Sequence, residues 1–393
     1  MAMKRTKAGG KLVLCVGTVK GGFLFLDGGG RRRWSLAGPF QFGSQVHDFR
    51  LDPRDGRTML LTSTGGHLGP TIFRSTDRGK TWIEAKRPPR FESLPAGKKP
   101  GKRTGSRGLA VKSNFWLSPG HADEQGLWYC GTNPHGLFRS EDGGITWRGV
   151  KGFNEGPRYW EWTGGGKFET PGGALTHSVL VDPRDARHLH VSLSAGGTFE
   201  SFDAGATWKP LNRGVEVTFG PVRYPEYSQD PHCMIRHPAD PDRLYQQNHC
   251  GIYRLDRDRT ERWKRIGRNM PKSIGDIGFP IVAHPTDPDI VWVFPMDGTK
   301  LWPRTSPEGR PAAYRTRDGG KSWQRLDRGL PRENAWFTVY RQAMDGDGDP
   351  RATGLYFGTT SGELWASRDG GERWERIAEH LPRIHSVRAG RTR

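Results

Sequence analysis

The sequence predicts an all-β fold, a single seven-bladed β-propeller whose ring closes by pairing the strands at its two ends. Three observations predict it. A short turn motif recurs five times, an apolar strand repeatedly runs into an Asp-Pro or His-Pro turn, and the strands at the two ends make a complete blade only when joined.

The motif reads [Ser/Thr]-x-Asp-x-Gly-x-x-Trp and occupies residues 75–82, 140–147, 201–208, 316–323 and 367–374. Its physics is local. The Asp accepts backbone N–H bonds inside a tight turn, the Gly takes a positive φ, and the Trp packs as an apolar wedge beneath the turn. Two degraded copies, around Asp27 and Trp34 and around Asp258 and Trp263, fill the gaps. The seven turn aspartates are then Asp27, Asp77, Asp142, Asp203, Asp258, Asp318 and Asp369, separated by 50, 65, 61, 55, 60 and 51 residues. Each gap accommodates four strands and their loops, and a repeat of this length marks a ring of blades.

The second element sets the register within a blade. Segments starting at His47, His177, His232 and Phe279 each read as an innermost strand, a Pro-containing turn and a second strand. The Asp-bearing turn then joins the third and fourth strands. Residues 12–36 supply strands two to four of a blade and lack its first strand, while His385-Ser386-Val387 repeats His177-Ser178-Val179. The tail is therefore expected to close the ring and leave no large unpaired sheet edge. The expected organisation is a flexible segment 1–10, a propeller over 11–389 and a tail of 390–393.

Composition agrees with many short strands. The chain has 393 residues with 55 Gly and 29 Pro, only 33% hydrophobic residues, and 15 Trp to supply buried area between blades. Four scattered cysteines do not make a disulfide framework, and burial is the expected role of Cys15 and Cys130. Cys233 and Cys250 follow His232 and His249, but strand alternation sends neighbours to opposite faces. The net charge is +19, yet the basic residues are spread over every blade. A denser run at 95–108 is Gly- and Pro-rich and reads as a mobile loop, so specific nucleic-acid binding is not expected. Neither a secretory apolar region nor a long apolar span is recognisable. The expectation is a soluble cytoplasmic monomer with no membrane partner.

The five motifs resemble the Asp-box (BNR) repeat of the sialidase-like propeller superfamily, which includes sialidases, xyloglucan hydrolases, sortilin-type receptors and photosystem II assembly factors. The overall pattern is also similar to bacterial reading frames labelled exo-sialidase or glycosyl hydrolase from these repeats alone. The resemblance implies that the boxes lie at the rim opposite the ligand face and are structural. The chain departs from sialidases in having no Arg-Ile-Pro, and its nearest basic run, Arg31-Arg32-Arg33, falls in a degraded box turn. True sialidase activity is therefore not expected, and the family label rests on fold-level likeness.

A comparison independent of family places histidines at the axis. Counting six residues back from the Pro of each first strand gives His47, His177 and His232, and the tail match adds His385; Ser113, Phe279 and Trp336 or Phe337 take this position elsewhere. The loops between second and third strands add His67, His135 and His249, so that seven of 13 histidines fall on one expected face. Imidazole is both a common metal ligand and a group that titrates near neutral pH. His47, His177, His232 and His385 are thus candidate ligands for a divalent transition metal, or else one duplicated His that hydrogen-bonds the neighbouring blade.

Two long loops bring carboxylates to the same face. One carries Arg158, Tyr159, Trp160 and Glu161; the other carries Arg223, Tyr224, Glu226, Tyr227 and Asp230. Long aromatic-rich loops amid short connections suit a functional role. Glu161 and Glu226 are the candidate carboxylate pair for glycoside hydrolysis, with His177 and His232 as acid/base groups at the axis. Arg158, Tyr159, Trp160, Tyr224, Tyr227, His67, His135 and His249 are candidate ligand contacts for a carbohydrate or another small molecule. Three classes follow: a hydrolase at a His-rich axial site with or without a metal, a metal-free glycosidase using loop carboxylates, and a non-catalytic interaction scaffold.

Overall fold

The computed structural model describes residues 10–66, 69–164, 170, 172–299 and 303–393. His67, the residue expected in the loop after the second strand of blade two, and most of the proposed flexible segment 1–10 lie outside the described residues. Seven four-stranded antiparallel sheets form the ring. Blade one is built as expected from both ends of the chain: its innermost strand is Ile384–Arg391, and Leu12–Thr18, Gly21–Asp27 and Trp34–Phe40 follow outward. Val16 pairs with Val387 and Leu12 with Arg391 across the closure. The innermost strands of blades two to seven are Phe49–Leu51, Ser113–Pro119, Thr176–Asp182, Pro231–Arg236, Gly278–Ala283 and Met344–Gly346.

The repeated turns take the form that their residues dictate. In each, the Ser or Thr hydroxyl donates to the Asp carboxylate, as Ser75 does to Asp77 and Ser367 to Asp369, at 2.7–2.8 Å. The same carboxylate accepts a backbone N–H from further round the turn, as from Thr81 at 2.9 Å and Thr146 at 2.8 Å. Gly79, Gly144, Gly205, Gly320 and Gly371 have φ between 86° and 94°. A Cβ at any of them would also come within 2.5–3.0 Å of an apolar side chain of the preceding blade, among them Leu60, Ile266 and Leu326. Glycine therefore satisfies two demands at once, a left-handed backbone and a close blade-to-blade approach. The degraded copy in blade five works differently: Arg259 and Thr260 donate their backbone N–H groups to the Asp256 carbonyl, and Asp258 pairs only with Arg259.

Tryptophans tie neighbouring blades together. Trp263, Trp323 and Trp374 donate their indole N–H to the carbonyls of Leu211, Ile266 and Leu326 in the preceding blade. Trp128, Trp292 and Trp374 are fully buried between sheets. The four cysteines are free and buried. Among the described residues, no helix is long and apolar enough to cross a membrane.

On the side of the Asp-Pro and His-Pro turns the channel opens into a cavity of about 770 Å³ with charged groups on its wall, among them Arg50, Arg236, Asp345 and Arg388. Asp48 is completely buried there and accepts from the Leu117 N–H at 2.9 Å, Arg388 Nε at 3.1 Å and Arg50 Nε at 3.2 Å. Arg388 lies over the Trp116 ring at 4.6 Å. Removing one partner from a buried ion pair leaves an uncompensated charge, which costs about 3–5 kcal/mol. Because Arg50 stays bonded to Asp48, Arg388→Ala is expected to lower the unfolding free energy by about 3 kcal/mol, the lower end of that range, measured by urea denaturation. An effect below about 1 kcal/mol would match a solvated pair and contradict this placement.

Candidate functional site

The opposite mouth of the channel holds the residues singled out by sequence, arranged differently from the expected ring of four imidazoles. The innermost strands of blades three to six carry register shifts near this mouth, between Asn114 and Trp116, His177 and Leu180, Pro231 and Cys233, and Gly278 and Ile281. Bulges re-aim side chains, so counting back from the Pro no longer gives one ring level. Phe115, not Ser113, reaches the axial cavity, and Tyr340 and Arg341 serve blade seven in place of Trp336 or Phe337. That cavity of about 260 Å³ is also lined by His47, Phe279, Arg304 and His385.

The four imidazoles fall into separate environments. His47 and His385 stack on each other with centroids 4.9 Å apart. His177 is fully buried, with Nδ1 3.0 Å from the Ser178 hydroxyl and its ring 6.2 Å from that of Trp116. His232 packs on Phe279 at 4.6 Å and donates Nδ1–H to the Gly278 carbonyl at 2.6 Å. Burial holds all four below the ordinary imidazole range: His47 is lowered to about 3, with His385 adding to the effect, and His385 to about 4, with Arg383 adding. His135 is also buried and lowered to about 4 by that burial, so it faces the core and not a ligand. Among the described residues, the four do not make one coordination sphere. The two groups of ligating atoms that converge are His188, His190 and Glu200, and Asp230, His232 and His249.

The long loops are ordered by specific contacts. The first contains a short helix, Tyr159–Thr163. Tyr159 is only 1% exposed and donates its hydroxyl to the His135 carbonyl at 2.5 Å, and Trp160 donates its indole N–H to the Gly105 carbonyl at 2.8 Å. Both expected ligand contacts are thus used for packing the loop onto the propeller. The second loop is riveted at its base by Glu216, which accepts from Arg223 Nε at 2.7 Å and Arg265 Nη1 at 2.8 Å. Tyr224 remains on the surface beneath the Arg223 guanidinium.

Arg158 joins the two loops. Its Nε bonds Glu161 at 2.9 Å, its Nη atoms hold Glu226 in a fork at 2.9 and 2.8 Å, and its plane lies over Trp162 and Tyr227 at 5.4 and 5.5 Å. Glu161 and Glu226 therefore share one cation instead of facing each other across a gap for water. Hydrogen bonding to Arg158 holds the Glu226 carboxyl below its usual range, which disfavours a role as proton donor.

Between this clamp and the axis lies a cleft of about 940 Å³, lined by Val217, Phe219, Val222, Glu226, Tyr227, Asp230, His249 and Arg304. Phe219 and Val222 are 52% and 57% exposed, an unusual apolar display beside carboxylates. Asp230 is the residue that the histidine count passed over. Its Oδ1 accepts the Ala195 N–H at 3.0 Å, and its Oδ2 lies 3.5 Å from His232 Nε2 and 3.4 Å from His249 Nδ1. The signal for it was the Asp-Pro-His sequence at a strand entry, where the bulge at His232 turns both side chains toward one mouth.

The second converging group differs. His188 places Nδ1 2.9 Å from Asp182 and Nε2 3.0 Å from Glu200, and Arg236 donates to His190 Nδ1 at 3.0 Å. Arg257 adds two bonds to Glu200 at 3.0 and 3.1 Å. Every acceptor of this network faces a protein donor, as expected of a structural brace between blades four and five.

No protein-family model matches the chain. It is 25% identical over 303 residues to an oligoxyloglucan-reducing end-specific xyloglucanase of Emericella nidulans, covering 70% of this chain and 33% of that enzyme. It is 27% identical over 282 residues to a xyloglucanase of Acetivibrio thermocellus, covering 65% of this chain and 28% of the other. The chain thus spans about a third of the length of these curated relatives. Among solved structures, the xyloglucanase of Xanthomonas campestris aligns with 93% of this chain and 52% of its own, with a TM-score of 0.64 and 20% identity. A putative 6-phosphogluconolactonase of Bacteroides fragilis aligns over 98% and 99% of the two chains, with a TM-score of 0.56 and 11% identity. The structural matches support the propeller, and the sequence matches make this chain similar to one portion of larger xyloglucan-degrading enzymes.

Proposed function

We propose that the chain binds a glycoside in the cleft formed by the 217–230 segment with Ala195, His249 and Arg304, and hydrolyses it there. The observation that carries this reading is the cleft itself, which sets exposed Phe219 and half-buried Tyr227 beside Glu226, Asp230 and His249. Sugar rings present an apolar face and a hydroxyl edge, and a cleft for them needs flat apolar platforms with convergent polar acceptors. Similarity to xyloglucanases over most of the chain supports the substrate class. The repeat turns support a place among Asp-box propellers of the sialidase-like type, in which the boxes serve as scaffold.

In this reading Asp230 is the ionised carboxylate that activates water or stabilises positive charge on the sugar, and His249, 3.4 Å away, exchanges the proton. Glu226, which lines the cleft, positions the sugar through its outer lone pairs, and Arg158 holds Glu226 in place from outside the cleft. The test is release of reducing ends from a panel of xyloglucan and β-glucan oligosaccharides. Asp230→Asn is expected to lower kcat by about 10²–10⁴-fold, whereas Glu161→Gln stays within about threefold because Arg158 keeps its fork to Glu226. Full activity in Asp230→Asn, or hydrolysis of no member of the panel by the wild-type protein, would overturn the assignment.

A further inference from the structure

We propose that Asp230, His232 and His249 form a binding site for one first-row divalent transition metal at the inner wall of this cleft. The ligand atoms are Asp230 Oδ2, His232 Nε2 and His249 Nδ1, which all lie within 4.8 Å of one another. Metal–ligand bonds of 2.0–2.1 Å in a tetrahedron separate neighbouring ligands by about 3.3 Å. Asp230 Oδ2 stands 3.5 Å from one imidazole nitrogen and 3.4 Å from the other. A common ion fits between them with small side-chain movement.

His232 and Asp230 are oriented from behind, as metal ligands require, and the His249 segment is tied to them through its backbone. The Gly278 carbonyl can only accept, so the proton of His232 resides on Nδ1 and the Nε2 lone pair faces Asp230. The Ala195 N–H occupies Asp230 Oδ1 and leaves Oδ2 turned toward the imidazoles. The His249 backbone N–H bonds the Asp230 carbonyl at 2.9 Å, which locks the two ligand-bearing segments together. Two imidazoles and one carboxylate form a donor set suited to zinc, iron(II), cobalt(II) or manganese. Asp230 and His249 border the cleft, so the remaining coordination positions open toward a substrate. Three protein ligands with open positions are the pattern of a reactive site, not of a sealed structural one.

The other converging group provides an internal contrast. In His188, His190 and Glu200 the nitrogens already face Asp182, Glu200 and Arg236, and Arg257 covers the carboxylate. Arg236 donating to His190 Nδ1 puts the His190 proton on Nε2, toward Glu200. That group offers a cation no free lone pair and carries two guanidinium charges beside it.

The site rests on its own geometry and not on the glycoside reading, because metal binding is measured without substrate; with the ion bound, Asp230 Oδ2 and His249 Nδ1 are its ligands, and their acid/base roles belong to the metal-free protein. Tag-free protein is stripped with a chelator, dialysed against Co²⁺ or Zn²⁺, and assayed for bound metal and for the visible spectrum of Co²⁺. One equivalent per chain is expected in the wild type. His249→Ala and Asp230→Asn are expected to bind at least about 100-fold more weakly, with circular dichroism and Tm reporting that each remains folded. Lys209→Ala, which removes peripheral contacts to Glu200, Glu261 and the Phe202 ring, is expected to bind as the wild type does. No stoichiometric metal in the wild type, or undiminished binding in folded His249→Ala, would overturn the proposal. A protein that binds one ion but cleaves no glycoside would keep this site and lose the preceding function.

Discussion

Deleting residues 384–393 is expected to leave a chain that does not form the ring. The innermost strand of blade one, Ile384–Arg391, pairs with Leu12–Thr18 along its length and buries Ile384 and Val387 completely. Each such side chain contributes about 1.5–3 kcal/mol by burial, and each ladder bond about 1 kcal/mol net. Loss of Arg388 also leaves Asp48, which is 0% exposed, with Arg50 as its remaining ion partner. These terms together exceed the roughly 5–15 kcal/mol by which a domain is stable. The truncated protein should show no cooperative thermal transition and should bind a hydrophobic dye. A truncated chain that melts cooperatively near the wild-type Tm would mean that blade one is dispensable and that the ring tolerates an open edge.

Acidification from pH 7 to pH 5 is expected to destabilise the protein steeply. His47 and His385 face each other at 4.9 Å with Arg341, Arg383 and Asp48 close by, and His135 is enclosed by the loop before blade four, with the Asp230 carboxylate acting on it. Burial lowers these three imidazoles to about 3, 4 and 4, whereas an unfolded histidine titrates near 6.5. Below that value the unfolded chain takes up protons that the folded chain refuses, so stability falls as pH falls. The loss is on the order of 2 kcal/mol for each imidazole between pH 7 and pH 5. The carboxylates of Asp48, Asp182 and Glu200 are depressed, so their contribution is present above about pH 4 and disappears at lower pH still. Urea midpoints across this range measure the slope, and His47→Gln with His385→Gln should flatten it. Equal midpoints at pH 7 and pH 5 would show that these rings are charged or solvated in the folded protein.

The fold was readable because its repeat is written in turn chemistry. Asp77, Gly79 and Trp82 each have one physical task, and the same tasks recur at 142, 144 and 147 and in three further copies. Ring closure was readable because residues 384–391 supply the strand that blade one lacks. The site was only half readable. Strand counting placed His232 and His249 at one mouth, as the structure has them, but the bulges after Asn114, His177, Pro231 and Gly278 add residues that no periodicity reports. Asp230 was thereby overlooked although it stands two residues from His232. Glu161 and Glu226 were read as an opposed pair because sequence shows each loop separately. Their common tie to Arg158 joins segments 68 residues apart and exists only after both loops fold.

The most direct test of the proposed glycoside cleft is a crystal structure with a xyloglucan oligosaccharide. The expected density lies over Phe219 and Tyr227, with sugar hydroxyls within hydrogen-bond reach of Asp230 and Glu226. Density instead at the opposite mouth, against Arg50, Arg236 and Arg388, would place the functional face on the wrong side of the ring.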